Sequence, residues 1–285
     1  MKIRIITGVA LGLFVISLLV FMQYPLVLGL PLAVFSGMAA YEIMHVTKCK
    51  NKVITALTVA FAVAMPLYID LDLGRFIKVP VSVILTVYLI TLMVLMLKNY
   101  ETVKFENIAM AIYASVCVPY AISCAILVRD LFKTSPDHIH QAQALFLVLW
   151  AMYCAWLSDT FAYFFGRKLG KHKLSPKISP KKSVEGAVAG VLGTMLISVI
   201  TYFICSHFYF YKDTIRLWMV IVGTVVLSVI SVLGDLSASV IKRNFNEKDF
   251  GTLFPGHGGV MDRIDSFIFV MPSMYALVKI MLAFA

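Results

Sequence analysis

IRLWMVIVGTVVLSVISVLGDLSASVI, residues 215–241, decides the solvent in which this chain folds. No side chain between Arg216 and Asp235 is charged. A helix of about twenty such residues spans the roughly 30 Å hydrocarbon core of a bilayer. The far end of the segment has a different character. Ser231, Asp235, Ser239 and Lys242 recur at helical spacing and make a polar stripe that leads out of the apolar run. A carboxylate set in lipid is costly unless it meets a cation, a metal or water, so Asp235 marks either a site or an interhelical ion pair.

Similar runs fill the rest of the chain. Of its 285 residues 61% are hydrophobic and 14% charged, too little charge to cover a soluble domain of this size. Candidate spans lie near 3–22, 25–47, 53–69, 77–97, 107–131, 142–165, 184–206, 215–241 and 264–284. The fold expected is therefore all-α, a polytopic transmembrane helix bundle of about nine spans. Residues 1–140 would supply about five N-terminal helices, and 141–285 a C-terminal catalytic region with loops at 166–183 and 242–263. The first run follows Lys2 and Arg4 as a signal peptide would, but Gln23, Tyr24 and Pro25 follow it where a small-residue cleavage pattern would stand; a retained span is expected. The five cysteines have no paired spacing, four lie in apolar runs, and they are read as small buried hydrophobes. A net charge of +10 raises the question of nucleic acid, but in a membrane protein it reports topology and anionic headgroups, and no nucleic-acid partner is expected.

With the N-terminus inside, the cytoplasmic segments hold Lys2, Arg4, Lys48, Lys50, Lys52, Lys98 and Lys104. To these the 166–183 loop adds Arg167, Lys168, Lys171, Lys173, Lys177, Lys181 and Lys182, and the last loop Lys242, Arg243, Lys248 and Arg263. These are 18 of the 25 basic residues, the bias that retention of positive charge produces, and they put the C-terminus outside. Gly186, Gly190 and Gly193 recur on one face of the seventh span, a pattern for close helix packing.

Asp159 lies seven residues before Gly166, and Asp235 seven before Lys242. Each is thus about 10 Å below the cytoplasmic end of its helix, and equal depth on one side suggests one shared site. Glu42, near the end of the second span, is read as facing the interface. Downstream of Asp235 the residues make a kit for hard cations and phosphate. Asp235, Asp249, Asp262 and Asp265 supply oxygen ligands of the kind Mg²⁺ takes. Lys242, Arg243 and Arg263 can neutralise phosphate, and Gly256, Gly258 and Gly259 allow close backbone approach. His257 either bonds a phosphate or orders its loop. Other motifs fail: Gly166 to His172 lacks the spacing of a P-loop, and His138 and His140 have no cysteine partners for zinc.

These residues resemble the phosphatidate cytidylyltransferase, or CDP-diacylglycerol synthase, family. The family's C-terminal pattern stands here as Ser239-Val-Ile-Lys242-Arg243, Lys248-Asp249 and His257-Gly258-Gly259-Val-Met-Asp262-Arg263-Ile-Asp265. Its upstream pattern stands as Ser158-Asp159-Thr160, Gly166-Arg167 and Ser179-Pro180-Lys181-Lys182-Ser183-Val-Glu185-Gly186. The detailed match covers roughly 155–265. The resemblance implies transfer of a cytidylyl group from CTP to phosphatidate with Mg²⁺, in phospholipid biosynthesis at the cytoplasmic face of a cell membrane; a second cation and a homodimer are left open. It implies Asp235 and Asp262 as first metal ligands, then Asp249 and Asp265, although Asp265 could instead orient Arg263 or cap the ninth span. Lys242 and Arg243 would hold triphosphate or lipid phosphate, with Asp249, His257, Asp262 and Arg263 also in the catalytic set. Ser158, Asp159, Lys181, Lys182, Ser183, Glu185, Ser239, Gly258 and Gly259 would bind substrate, while Lys181 and Lys182 also serve as plain topology markers. Two other functions use some of the same features: a CTP-dependent polyprenol or phytol kinase, and an ion-coupled transporter. The transporter would need midplane carboxylates and two matching broken halves.

Overall fold

The structure is a computed structural model that describes residues 12–13, 16–208, 214–254 and 258–283. The helices include α1 (Gly29–Val46), α2 (Lys52–Asp70), α3 (Val81–Lys98), α4 (Phe105–Arg129), α5 (Gln141–Leu169), α6 (Val184–Phe208), α7 (Leu217–Asn244), α8 (Met261–Ile264) and α9 (Phe267–Ala283). A two-stranded antiparallel hairpin, β1 (Lys173–Ser175) and β2 (Ser179–Ser183), stands between α5 and α6. Among the described residues seven helical segments are long and apolar enough to cross a membrane, and each falls on one of the nine expected spans. Of the other two expected spans, 25–47 holds α1, which carries Glu42 and is not among the seven. Most of 3–22 lies outside the described residues. The protein is a multi-pass, all-α membrane protein, and the count of nine is not confirmed.

Packing divides the chain into two compact units. The first joins residues 1–126 to Phe245–Arg263. In it α1 lies along α2 with Gly37 against Val63, where an added Cβ would come within 2.6 Å of the valine. Asn51 starts α2 by accepting from the amides of Val53 and Ile54 at 3.0 and 3.2 Å, the usual asparagine N-cap. Met44, Ile54, Tyr88, Leu92 and Ile108 form its core. The Tyr88 ring stacks on Phe61, and its hydroxyl donates to Ser115 Oγ at 2.8 Å, which satisfies a polar group that lipid could not.

The second unit joins Leu127–Asn244 to Ile264–Ala285. Its closest pair is α5 and α6. A Cβ on Gly186 would sit 2.7 Å from the Ala162 carbonyl oxygen, and one on Gly190 2.6 Å from that of Ser158. The glycines therefore let two backbones touch, as small residues do where no water drives helices together. Large apolar side chains such as Leu192, Leu196, Val222 and Val229 remain exposed on the outer surfaces of α6 and α7, as suits contact with lipid.

Three local features depart from expectation. The 166–183 segment is the last turn of α5 followed by the hairpin, not an irregular loop. α7 continues to Asn244, so Lys242 and Arg243 are helical. Within α4 and α5, residues Tyr113–Cys117 and Tyr153–Leu157 adopt single π-helical stretches. Of the cysteines only Cys124 and Cys154 are buried, while Cys117 is exposed.

Candidate active site

The π stretch Tyr153–Leu157 ends where Ser158 begins, and such insertions turn the following side chains relative to a regular helix. Ser231 on α7 donates to the Ala155 carbonyl in this stretch at 3.2 Å. Ser158 is buried beneath Gly190, and the next residue, Asp159, points to a polar cluster.

Lys182 is the hub of that cluster. The ladder pairs Lys173 with Ser183 and Ser175 with Ser179, so Lys181 and Lys182 point to opposite faces of β2; Lys181 is exposed and Lys182 is turned inward. Its ammonium ion-pairs with Asp235 Oδ2 and reaches Asp159 Oδ1 at 3.5 Å. Asp159 Oδ2 accepts from Ser266 Oγ at 3.0 Å. Burial alone would lower the Lys182 pKa, but the carboxylates of Asp159 and Asp235 outweigh it and hold the ammonium above the ordinary lysine value. Asp265 belongs to the same group, since it feels the charges of Asp235, Lys242 and Asp159. It sits in the turn between α8 and α9 and accepts from the Ser266 amide at 2.8 Å. Gly234 makes that approach possible: a Cβ there would lie 2.9 Å from the Asp265 carbonyl oxygen.

The other predicted residues of this unit take supporting positions. Ser183 Oγ accepts from the Gly186 amide at 3.2 Å and so caps α6. Glu185 accepts from the backbone amides of Lys171 and His172, both at 3.1 Å, with His172 Nδ1 2.6 Å from its Oε1; it ties the hairpin to α6. Ser239 and Lys242 are buried on α7, and Arg243 is exposed.

In the first unit, Asp262 Oδ2 accepts from the amides of Phe250 and Gly259 at 2.9 and 3.0 Å. Glu42 corrects the reading of an interfacial side chain. It is buried, and its two oxygens accept from the Val260 and Met261 amides, both at 2.9 Å, at the start of α8. A carboxylate at a helix N-terminus satisfies donors that the helix cannot. A Cβ on Gly251 or Gly259 would collide with that carboxylate, and Gly258 adopts φ +81°, so this glycine-rich loop is shaped around Glu42 and Asp262. Asp249 and Arg263 are exposed, and His257, with Pro255 and Gly256, lies outside the described residues.

The described residues contain no group of three or more His, Cys, Asp or Glu side chains placed to hold a metal ion. The donor chemistry nevertheless fits Mg²⁺. In the second unit the carboxyl groups of Asp159 and Asp235 meet at Lys182, and Asp265 follows in the turn whose Ser266 bonds Asp159, oxygen donors of the kind a hard cation takes. Mg²⁺ is commonly held by one or two carboxylates, with substrate phosphates and water completing the shell.

Ser266 is the residue that the sequence reading left out, and Glu42 the one it set at the interface. Ser266 directly follows Asp265 and extends the polar run from Asp262 into the last span. Glu42 is the one acidic residue in 25–47, a signal that a partner was needed.

Apolar spans that bring carboxylates, lysines and a serine together at one end define a class: integral membrane enzymes that handle phosphate-bearing substrates. The chain belongs to the cytidylyltransferase family, whose profile matches residues 2–281. It is similar to the phosphatidate cytidylyltransferase of Staphylococcus saprophyticus, 33% identical over 281 residues, which are 97% of this chain and 98% of that protein. The Staphylococcus epidermidis protein of the same name is 33% identical over 282 residues with the same coverage. That of Staphylococcus aureus is 31% identical over 296, again with the same coverage.

Proposed function

We propose that this protein transfers the cytidylyl group of CTP to phosphatidate, yielding CDP-diacylglycerol and pyrophosphate, with its active site at the cytoplasmic face of the cell membrane. The observation that carries the reading is the Lys182 ammonium held between Asp159 and Asp235, in a half-buried cluster with Asp265 and Lys242. A phosphate oxygen of phosphatidate bonds to the α-phosphorus of CTP. The bond from that phosphorus to the oxygen leading to the β-phosphate breaks, and the electron pair leaves on pyrophosphate. The attacking oxygen is largely ionised at neutral pH, so positioning and charge stabilisation do most of the work.

Asp235 and Asp265, with Asp159, would hold Mg²⁺, which when bound neutralises phosphate charge and polarises the phosphoryl oxygens. Lys182 holds Asp159 and Asp235 at a fixed separation and presents positive charge to the triphosphate. Lys242 and Arg243 bind phosphate near the end of α7. In the first unit, Asp262 holds the Gly259 amide, and Glu42 those of Val260 and Met261.

Detergent-purified protein given labelled CTP and phosphatidate should form CDP-diacylglycerol and pyrophosphate in equal amounts. Release of CDP with a phosphorylated alcohol would make it a lipid kinase and overturn the proposal.

A further inference from the structure

At the other end of the second unit lies a cavity of about 690 Å³, between α5, the first turns of α7 and the last turns of α9. That volume is typical of ligand sites, which run from roughly 300 to 1,000 Å³. Its walls are apolar, with Trp150, Trp218, Val226 and Met281 among them, and its polar groups are His138, Thr214 and Arg216. The Trp150 indole lies against Gly223, where a Cβ would meet the ring at 2.5 Å, and its Nε1 donates to Thr224 Oγ1 at 2.9 Å. This wall is therefore fixed. The polar end is fixed too, because Thr214 Oγ1 donates to the His138 carbonyl at 2.7 Å and Tyr202 donates to that of Ile215 at 3.1 Å. Arg216 is exposed, and 19 residues of helical rise put it about 28 Å from Asp235, close to a full membrane thickness.

We propose that this cavity binds one anionic phospholipid of the leaflet opposite the active site, its acyl chain along Trp150 and Trp218 and its phosphate on Arg216. An apolar chamber that ends in a guanidinium matches a molecule with a hydrocarbon tail and an anionic head, and an arginine takes phosphate through two parallel hydrogen bonds. A zwitterionic lipid fills the chamber equally well and differs only in its net charge at Arg216.

The chain has three tryptophans, and Trp156→Phe leaves as reporters only Trp150 and Trp218, both in the cavity wall. In that background, the protein is reconstituted in vesicles containing increasing dibrominated phosphatidylglycerol or dibrominated phosphatidylcholine, and tryptophan quenching is recorded. Quenching should saturate at about fivefold less of the anionic lipid, the gain expected from one basic residue at a charged surface. Arg216→Gln should bring the two curves together. Equal curves for both lipids in the parent would reduce the contact to ordinary surrounding lipid and overturn the proposal. A preference that survives Arg216→Gln would overturn it as well. Tryptophans shielded from both lipids, in a protein that cross-links as a dimer, would assign the cavity to a second copy instead.

Discussion

Asp159 and Asp235 share Lys182, while Glu42 in the first unit accepts from main-chain amides, so substitutions at these residues should fail in different ways. Asp235→Asn keeps the shape of the side chain while removing its charge. It should cut cytidylyl transfer at least about a hundredfold, the usual scale for losing one electrostatic element of a transition state, with the protein still inserted. Full turnover in that variant would exclude Asp235 from metal binding. Lys182→Met strands two carboxylates, so it should lower both activity and the melting temperature of the detergent-solubilised protein. Because the folded-state pKa of Lys182 is raised, its contribution to stability is complete below the ordinary lysine value and is lost as pH climbs through the raised one. The stability difference between Lys182→Met and the parent should therefore be constant across neutral pH and shrink only in strong alkali. Glu42→Ala leaves the Val260 and Met261 amides without their acceptor. At about 1–3 kcal/mol for each unsatisfied buried group, thermal unfolding should shift clearly downward, and activity should fall with the order of the glycine loop. Asp159 and Asp235 were legible as partners because both lie at one depth in otherwise apolar helices. Glu42 was not, because its acceptors' partners are main-chain amides, which leave no mark in residue identity.

At the level of elements, the glycine face of α6 was readable and the structures beside it were not. Gly186 and Gly190 announce close packing through their spacing alone. The π stretch before Ser158 has no residue signature, and β1 and β2 are, apart from Leu174, built from Lys, Ser and Pro, poor strand formers that owe their shape to their neighbours. The contact nevertheless positions the chemistry, since Ser158 and Asp159 lie on the helix that Gly190 touches. Gly190→Leu should force α5 and α6 apart, cost about 1–3 kcal/mol by overpacking, and reduce kcat more than it changes the affinity for CTP. Binding and turnover measured on the same preparation would separate the two. Parallel losses would mean that the whole unit had come undone.

For the whole molecule the testable matter is which way the chain faces. The basic residues near 166–183 and 242–263 predict that both segments lie in the cytoplasm. Single cysteines introduced at Lys177 and Glu247, in a background lacking the five native ones, should be shielded from an impermeant thiol reagent in intact cells and labelled once the membrane is opened. Labelling of one segment and not the other before opening would put them on opposite sides and exclude a common function for the charges they carry. The membrane character was plain from the apolar runs. The number of crossings was less so: α1 is long enough, but its glutamate and histidine reduce its apolarity, and length alone does not separate a crossing helix from a buried one.

The bond from Glu42 to the Val260 amide joins residues 218 positions apart. On the ribosome, the glutamate is made long before its partner. Until the final span leaves the translocon, this buried carboxylate has to be neutral, hydrated or held by another protein. The nascent enzyme thus has a built-in delay, and a chain released early by a premature stop would keep its first helices yet leave this carboxylate without its amides, a mark by which membrane quality-control proteases could tell unfinished copies from complete ones.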